Sequence, residues 1–241
     1  MARRMASARE PVKFGRREVV LGLAAVPLAT CVPMGPDKDV PFVSAKKATT
    51  LAPGDPKRLV ELVKLDPSIR LDMRYATTNN FTGRVLYSEA RAFLTVAAAQ
   101  AIVRASAKAR ADGFGLTIYD AYRPWRVTKQ LWDATPVGPK KEYVANPKRG
   151  SKHNRGCAVD LTLHDLKTGL LVEMPTEFDD FSEMAHRNYA GASTAAIANR
   201  ARLQRYLEAE GFVGLSNEWW HFDFTGWQDY PVMDVPFDKI A

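Results

Sequence analysis

Apolar residues recur at every second position in Ile69, Leu71, Met73 and Tyr75, the period of a half-buried strand. Residues 76–83, ATTNNFTG, are loop formers. An Ala-rich amphipathic stretch predicts a helix over 88–112, with Ser88 as its cap and Gly113 as its stop. Leu116 and Ile118 alternate in a second strand that ends at Asp120-Ala121-Tyr122-Arg123-Pro124. Pro124 suits the first turn of a short helix through Trp132. A Pro-, Gly- and Lys-rich loop over 136–152 leads to a third strand, AVDLTLH, over 158–164. Lys167-Thr168-Gly169 predicts a hairpin turn into a fourth strand over 170–172. A second long helix follows over 193–210, capped by Ser193 and stopped by Gly211, and an aromatic strand over 212–224 closes the pattern. Strands and helices come in blocks. That predicts an α+β fold, a mainly antiparallel central sheet flanked by helices, in a single domain over 57–241.

Composition changes the picture only at the N-terminus. A 241-residue chain with 46% hydrophobic and 25% charged residues is globular, which excludes disorder throughout, collagen and coiled coil. Two cysteines exclude a disulfide scaffold and a four-cysteine metal site. The net charge of +7 suggests nucleic acid until it is located. Residues 1–30 hold six basic side chains against Glu10 and Glu18, a net +4, so the other 211 residues carry only +3. That is weak for a phosphate-binding surface, and no nucleic-acid partner is expected. Arg16-Arg17 directly precedes an apolar run over 19–29, which is 11 residues long and too short to span a bilayer. The order basic, apolar, polar reads as an export signal over 1–31, with a twin-arginine-like pair. Leu28-Ala29-Thr30-Cys31 resembles a lipobox, making Cys31 the lipidation site and the sole membrane attachment. Five prolines over 32–56 read as a tether. The expected location is the periplasm or a membrane surface.

Two short segments concentrate metal-capable residues: Ser151-Lys-His153-Asn-Arg-Gly156-Cys-Ala-Val-Asp160 and Glu218-Trp-Trp-His221. A catalytic zinc takes three N/O protein ligands and keeps one position open. His153, Asp160 and His221 supply two imidazoles and a carboxylate, leaving Glu218 as a base for water. The segments lie about 60 residues apart, so the fold must join them. His164 would sit four residues beyond Asp160, roughly 13 Å along a strand, and His186 lacks partner spacing. Cys157 is a rival ligand for a closed structural site; the plainer reading is a small buried residue at a strand edge. Trp219 and Trp220 read equally well as core. Arg123, between a strand end and a helix-starting proline, would leave the sheet edge, where a guanidinium can stabilise an oxyanion.

With YATTNNFTG upstream, the segments DAYRP, SKHNRGCAVDLTL and NEWWHF resemble the zinc D-alanyl-D-alanine dipeptidases of the VanX type, within the D-Ala-D-Ala metallopeptidase and hedgehog-like superfamily. The resemblance runs in order from about residue 57 to about 238. It implies one zinc per chain on His153, Asp160 and His221, with Glu218 as general base and acid and Arg123 as transition-state stabiliser. Tyr75 and Ser151 match positions that line a small substrate pocket. Asp179, beside Asp180, matches a carboxylate for the free ammonium of a dipeptide. The export signal and Cys157 depart from the family pattern. An exported enzyme cannot act on the cytoplasmic precursor pool; dipeptides released by cell-wall turnover are its expected substrate. Two alternatives remain open at the sequence level: a peptidoglycan D,D-carboxypeptidase or endopeptidase with an open cleft, and a zinc-containing binding domain without activity. Loops 76–87 and 136–150 are expected to decide pocket closure.

Overall fold

The computed structural model describes Ala52 and residues 54–240. The predicted export signal, Cys31 with it, and nearly all of the predicted tether lie outside the described residues. Strand β1 (Leu59–Glu61) runs into a single turn, α1 (Leu62–Leu65), and then β2 (Arg70–Leu71). Next come β3 (Phe93–Thr95), α2 (Val96–Ala111), β4 (Phe114–Asp120) and α3 (Trp125–Ala134). Strand β5 (Ala158–Asp165), α4 (Thr194–Glu208), β6 (Phe212–Gly214) and β7 (His221–Phe224) complete the fold. The main sheet has the order β2-β4-β5-β7-β6. Only the β2–β4 pairing is parallel; the rest is antiparallel, as the blockwise pattern predicts. A second, two-stranded ladder joins β1 to β3.

The sheet is buried on both faces, for different reasons. Leu116 and Ile118 of β4 pair with Leu163 and Leu161 of β5, and all four are inaccessible to solvent. Helix α2 covers this apolar face with a row of buried small residues, Ala98, Ala101, Ile102 and Ala105, and α4 packs beside it through Leu203 and Leu207. The opposite face of β5 carries Asp160, Thr162 and His164. Asp160 and His164 find polar partners there, and that face holds the candidate site.

Several predicted boundaries move. The helix expected from Ser88 begins at Val96, with Thr95 in the capping position, because Phe93-Leu94-Thr95 is taken up as a strand against β1. The strand expected over 69–75 shrinks to Arg70–Leu71; the chain then turns, and Arg74–Ala76 forms a 3-10 turn that buries Tyr75. Residues 167–169 turn as predicted, but the fourth strand is reduced to one bridge, His164 to Leu171. The closing aromatic strand is a hairpin: β6 and β7 are separate strands, and the loop between them carries Glu218. By contrast α4 starts where predicted, with the Ser193 hydroxyl accepting from Ala196 N–H at 3.0 Å.

Candidate active site

One row of paired positions across three strands builds the site. Asp160 on β5 pairs with His221 on β7, and on its other side with Asp120 on β4. The second pairing depends on an irregularity. From Phe114 to Ile118 the β4–β5 register is regular, and continuing it would set residue 119 opposite Asp160. A bulge after Ile118 brings Asp120 level instead, moving its carboxylate from the apolar face of β4 to the face of Asp160. A fourth side chain arrives from outside the sheet. His153 lies in a 3-10 turn, and Gly156 closes that turn with φ of +64°. A Cβ on Gly156 would come within 2.5 Å of Leu59 Cδ2, so the close approach of this turn to β1 and β3 needs glycine.

Three ligand atoms converge. His153 Nε2 is 3.2 Å from His221 Nδ1 and 3.4 Å from Asp160 Oδ2, and His221 Nδ1 is 2.9 Å from Asp160 Oδ1. Tetrahedral ligands at zinc bond lengths stand roughly 3.3 Å apart, so these separations fit such an ion. The outer nitrogens are also committed. His153 Nδ1 is 2.7 Å from the Ala121 carbonyl, which can only accept, so this nitrogen carries the proton and Nε2 presents a lone pair. All three residues are buried. Cys157 is buried outside the cluster, its thiol near Thr95 Oγ1 at 3.8 Å, which is the small strand-edge role. His164 pairs with Thr117 at 2.9 Å, and His186 with the Tyr143 hydroxyl at 3.2 Å; neither joins the site.

Around the triangle stand charges with distinct surroundings. Glu218 Oε2 lies 3.8 Å from His221 Nδ1, and burial pushes its carboxyl up to about 7 without a metal. Arg123 is buried with its guanidinium on Asp120 Oδ2 at 2.7–2.8 Å, 3.8 Å from Asp160 Oδ2 and 5.2 Å over the Tyr75 ring. Burial opposes its charge, but Asp120 and the other anions more than restore it. Tyr75 donates its hydroxyl to Asp179 at 3.0 Å. Asp179 has a left-handed backbone, φ +60°, and burial together with Asp160 holds its carboxyl well above the ordinary range. Ser151 Oγ accepts from the His153 N–H at 3.2 Å, which leaves its own proton free to donate. The residues predicted as ligands, base, arginine and pocket lining are thus linked to one another, directly or through Arg123 and Tyr75, while Cys157, His164 and His186 stand apart.

Two residues escaped the sequence reading. Asp120 is wholly buried; it accepts from the Tyr87 hydroxyl at 2.6 Å, the Ala121 N–H at 2.9 Å and Arg123. The D-x-x-R spacing was its signal, but only the bulge shows which face it takes. Asp223 accepts from His221 Nε2–H at 2.9 Å; its signal was the strand period, two residues beyond a ligand. Trp219 and Trp220 are core: they meet edge-to-face at 5.4 Å, and Trp219 Nε1 donates to Thr176 Oγ1.

A three-ligand cluster with a separate buried carboxylate and a fixed guanidinium, on one face of an antiparallel sheet, is the arrangement of a metal-dependent hydrolase. The family described as D-ala-D-ala dipeptidase matches residues 55–238, and this chain belongs to it. It is 37% identical over 183 residues to a D-alanyl-D-alanine dipeptidase of Escherichia coli (strain K12), covering 76% of this chain and 93% of that protein. A D-alanyl-D-alanine dipeptidase of Enterococcus faecium is 37% identical over 187 residues, 70% of this chain and 91% of its own. One from Streptomyces coelicolor (strain ATCC BAA-471 / A3(2) / M145) is 34% identical over 192 residues, 73% and 94% respectively.

Proposed function

We propose that this protein is a zinc-dependent dipeptidase that hydrolyses D-Ala-D-Ala. The observation that carries the reading is Glu218, a buried carboxylate 3.8 Å from a ligand nitrogen of the three-residue cluster and outside the ligand set. A zinc ion on His153, Asp160 and His221 would supply a Lewis acid and lower the pKa of water toward ~7. Glu218 then serves as base for the attacking water and as acid for the leaving amine. Arg123, held by Asp120, directs its charge at the side of the cluster where the carbonyl oxygen gains negative charge. Asp179 and Tyr75 receive the substrate ammonium, and that cation stabilises the Asp179 anion, which burial otherwise disfavours. The Ser151 hydroxyl donates to the substrate. Pairing of a free ammonium supports a dipeptide over a peptidoglycan stem, whose nitrogen is acylated.

The test is to incubate the purified chain with D-Ala-D-Ala, with L-Ala-L-Ala and with a muropeptide ending in D-Ala-D-Ala. Cleavage of the free D,D-dipeptide alone is expected. Release of alanine chiefly from the muropeptide would replace this reading with a carboxypeptidase. We further infer export, with a lipid anchor at Cys31. It is supported by the basic, apolar and cysteine order of residues 1–31 and places the enzyme where wall-turnover dipeptides are released.

A further inference from the structure

We propose that Asp223 is a positioning residue that fixes which ring nitrogen of His221 faces the metal site; the inference rests on the zinc reading above. His221 and Asp223 are two residues apart on β7, so their side chains share a face of the strand. Asp223 Oδ1 stands 2.9 Å from His221 Nε2, and the Lys152 ammonium is 3.5 Å from Asp223 Oδ2. Lys152 in turn lies over the Trp227 ring, 5.1 Å from its centre. Both carboxylate oxygens are thereby engaged, and the carboxylate is tied to the residue that precedes His153.

The consequence is a choice of tautomer. Both His221 nitrogens face carboxylates at 2.9 Å, Nε2 that of Asp223 and Nδ1 that of Asp160; a divalent ion held by Asp160 and His153 requires the lone pair on Nδ1, and Asp223 then accepts the proton left on Nε2. Nδ1 is the nitrogen that meets His153 Nε2 and Asp160. With such an ion beside Asp160, the other tautomer would set the Nε2 lone pair against the Asp223 anion at 2.9 Å and put a proton where the metal belongs. His153 needs the opposite tautomer, with the proton on Nδ1, and takes it from the Ala121 backbone carbonyl. The two histidines thus present different nitrogens. One choice is made by main chain, which no substitution removes; the other is made by a side chain and can be altered.

The test is zinc affinity of the full chain by chelator competition, together with ¹H–¹⁵N spectra of the zinc-loaded imidazoles. Asp223→Ala is expected to bind zinc ~10–100-fold more weakly, the usual cost of losing such a partner. In the zinc-loaded wild type the His221 Nε2–H should be protected from exchange with water by its bond to Asp223, and Asp223→Ala should lose that protection. Asp223→Asn, whose amide oxygen can still accept from Nε2–H, should keep part of that protection and lie between the two in affinity. Thermal unfolding of the metal-free forms should match the wild type. Asp223→Ala binding zinc as tightly as the wild type overturns the proposal while leaving the metal site intact. Equal loss of metal-free stability and zinc affinity also overturns it, because that is a structural role. A wild-type chain that binds no zinc overturns the metal reading itself, and this inference with it.

Discussion

In the proposed mechanism Glu218, Arg123 and Asp179 meet three different species, and kinetics can tell them apart. Glu218→Ala should keep fold and metal yet lose ~10²–10⁴-fold in kcat, since proton transfer belongs to the transition state. Arg123 is proposed to act on an oxyanion absent from the ground state, so its loss should also fall on kcat, by ~10²–10³-fold. Arg123→Lys is the better probe, because Asp120 is wholly buried and would otherwise lose its charge partner. Asp179→Asn removes the proposed ion pair with the substrate ammonium, common to ground and transition states, and should mainly raise KM. Steady-state kinetics on D-Ala-D-Ala read all three, and near-normal turnover of Glu218→Ala would end the mechanism. Cys157 gives a separate check. Burial pushes its thiol up to about 12, so at pH 8 the thiolate is on the order of 10⁻⁴ of the population. The folded chain should resist alkylation there, with modification appearing only on unfolding; rapid labelling of the native protein at Cys157 would contradict the buried role. Candidate roles for these side chains could be read from the sequence because each motif carries a chemistry that its residue types restrict. Those of Asp120 and Asp223 could not, because a lone aspartate has no meaning until its neighbours are known.

Elements follow local chemistry where local chemistry is strong. Ser193 was readable as a cap because a hydroxyl before an Ala-rich run satisfies an otherwise free N–H. Ser193→Ala should cost about 1 kcal/mol by denaturant unfolding and leave activity unchanged. Gly156→Ala should behave differently. It forces a side chain into a left-handed backbone and against Leu59, and the turn it disturbs carries His153. A cost on the order of 1–3 kcal/mol is expected, with zinc affinity falling alongside. If Gly156→Ala retains full zinc affinity, the turn does not position the ligand. The misplaced boundaries share one cause. Phe93-Leu94-Thr95 fits either a helix turn or a strand, and β1, more than thirty residues upstream, decides for the strand.

At the scale of the molecule, the site draws on β4, β5, β7, the turn before β5 and the loop before β7. Asp120, Asp160, Glu218 and Asp223 gather around it, against Arg123 and Lys152 as the nearby lasting cations. Such a cluster favours a divalent ion, so chelation should lower the unfolding temperature in a way that zinc restores; calorimetry with and without chelator measures it, and equal midpoints would remove zinc from the folded state. Export belongs to the same scale. Labelled fatty acid should enter the wild type and not Cys31→Ser, and equal labelling of the two would refute the anchor. From residue order alone came the α+β class, the ligand types, the base, the arginine and the family resemblance, because hydrophobic period and motif chemistry are local properties. Which face each carboxylate takes, and how segments 60 residues apart meet, came only from tertiary structure. One bulge after Ile118 places Asp120 beside Asp160, and one strand pairing places His221 opposite it. Register is a property of two strands together, and neither strand's sequence contains it.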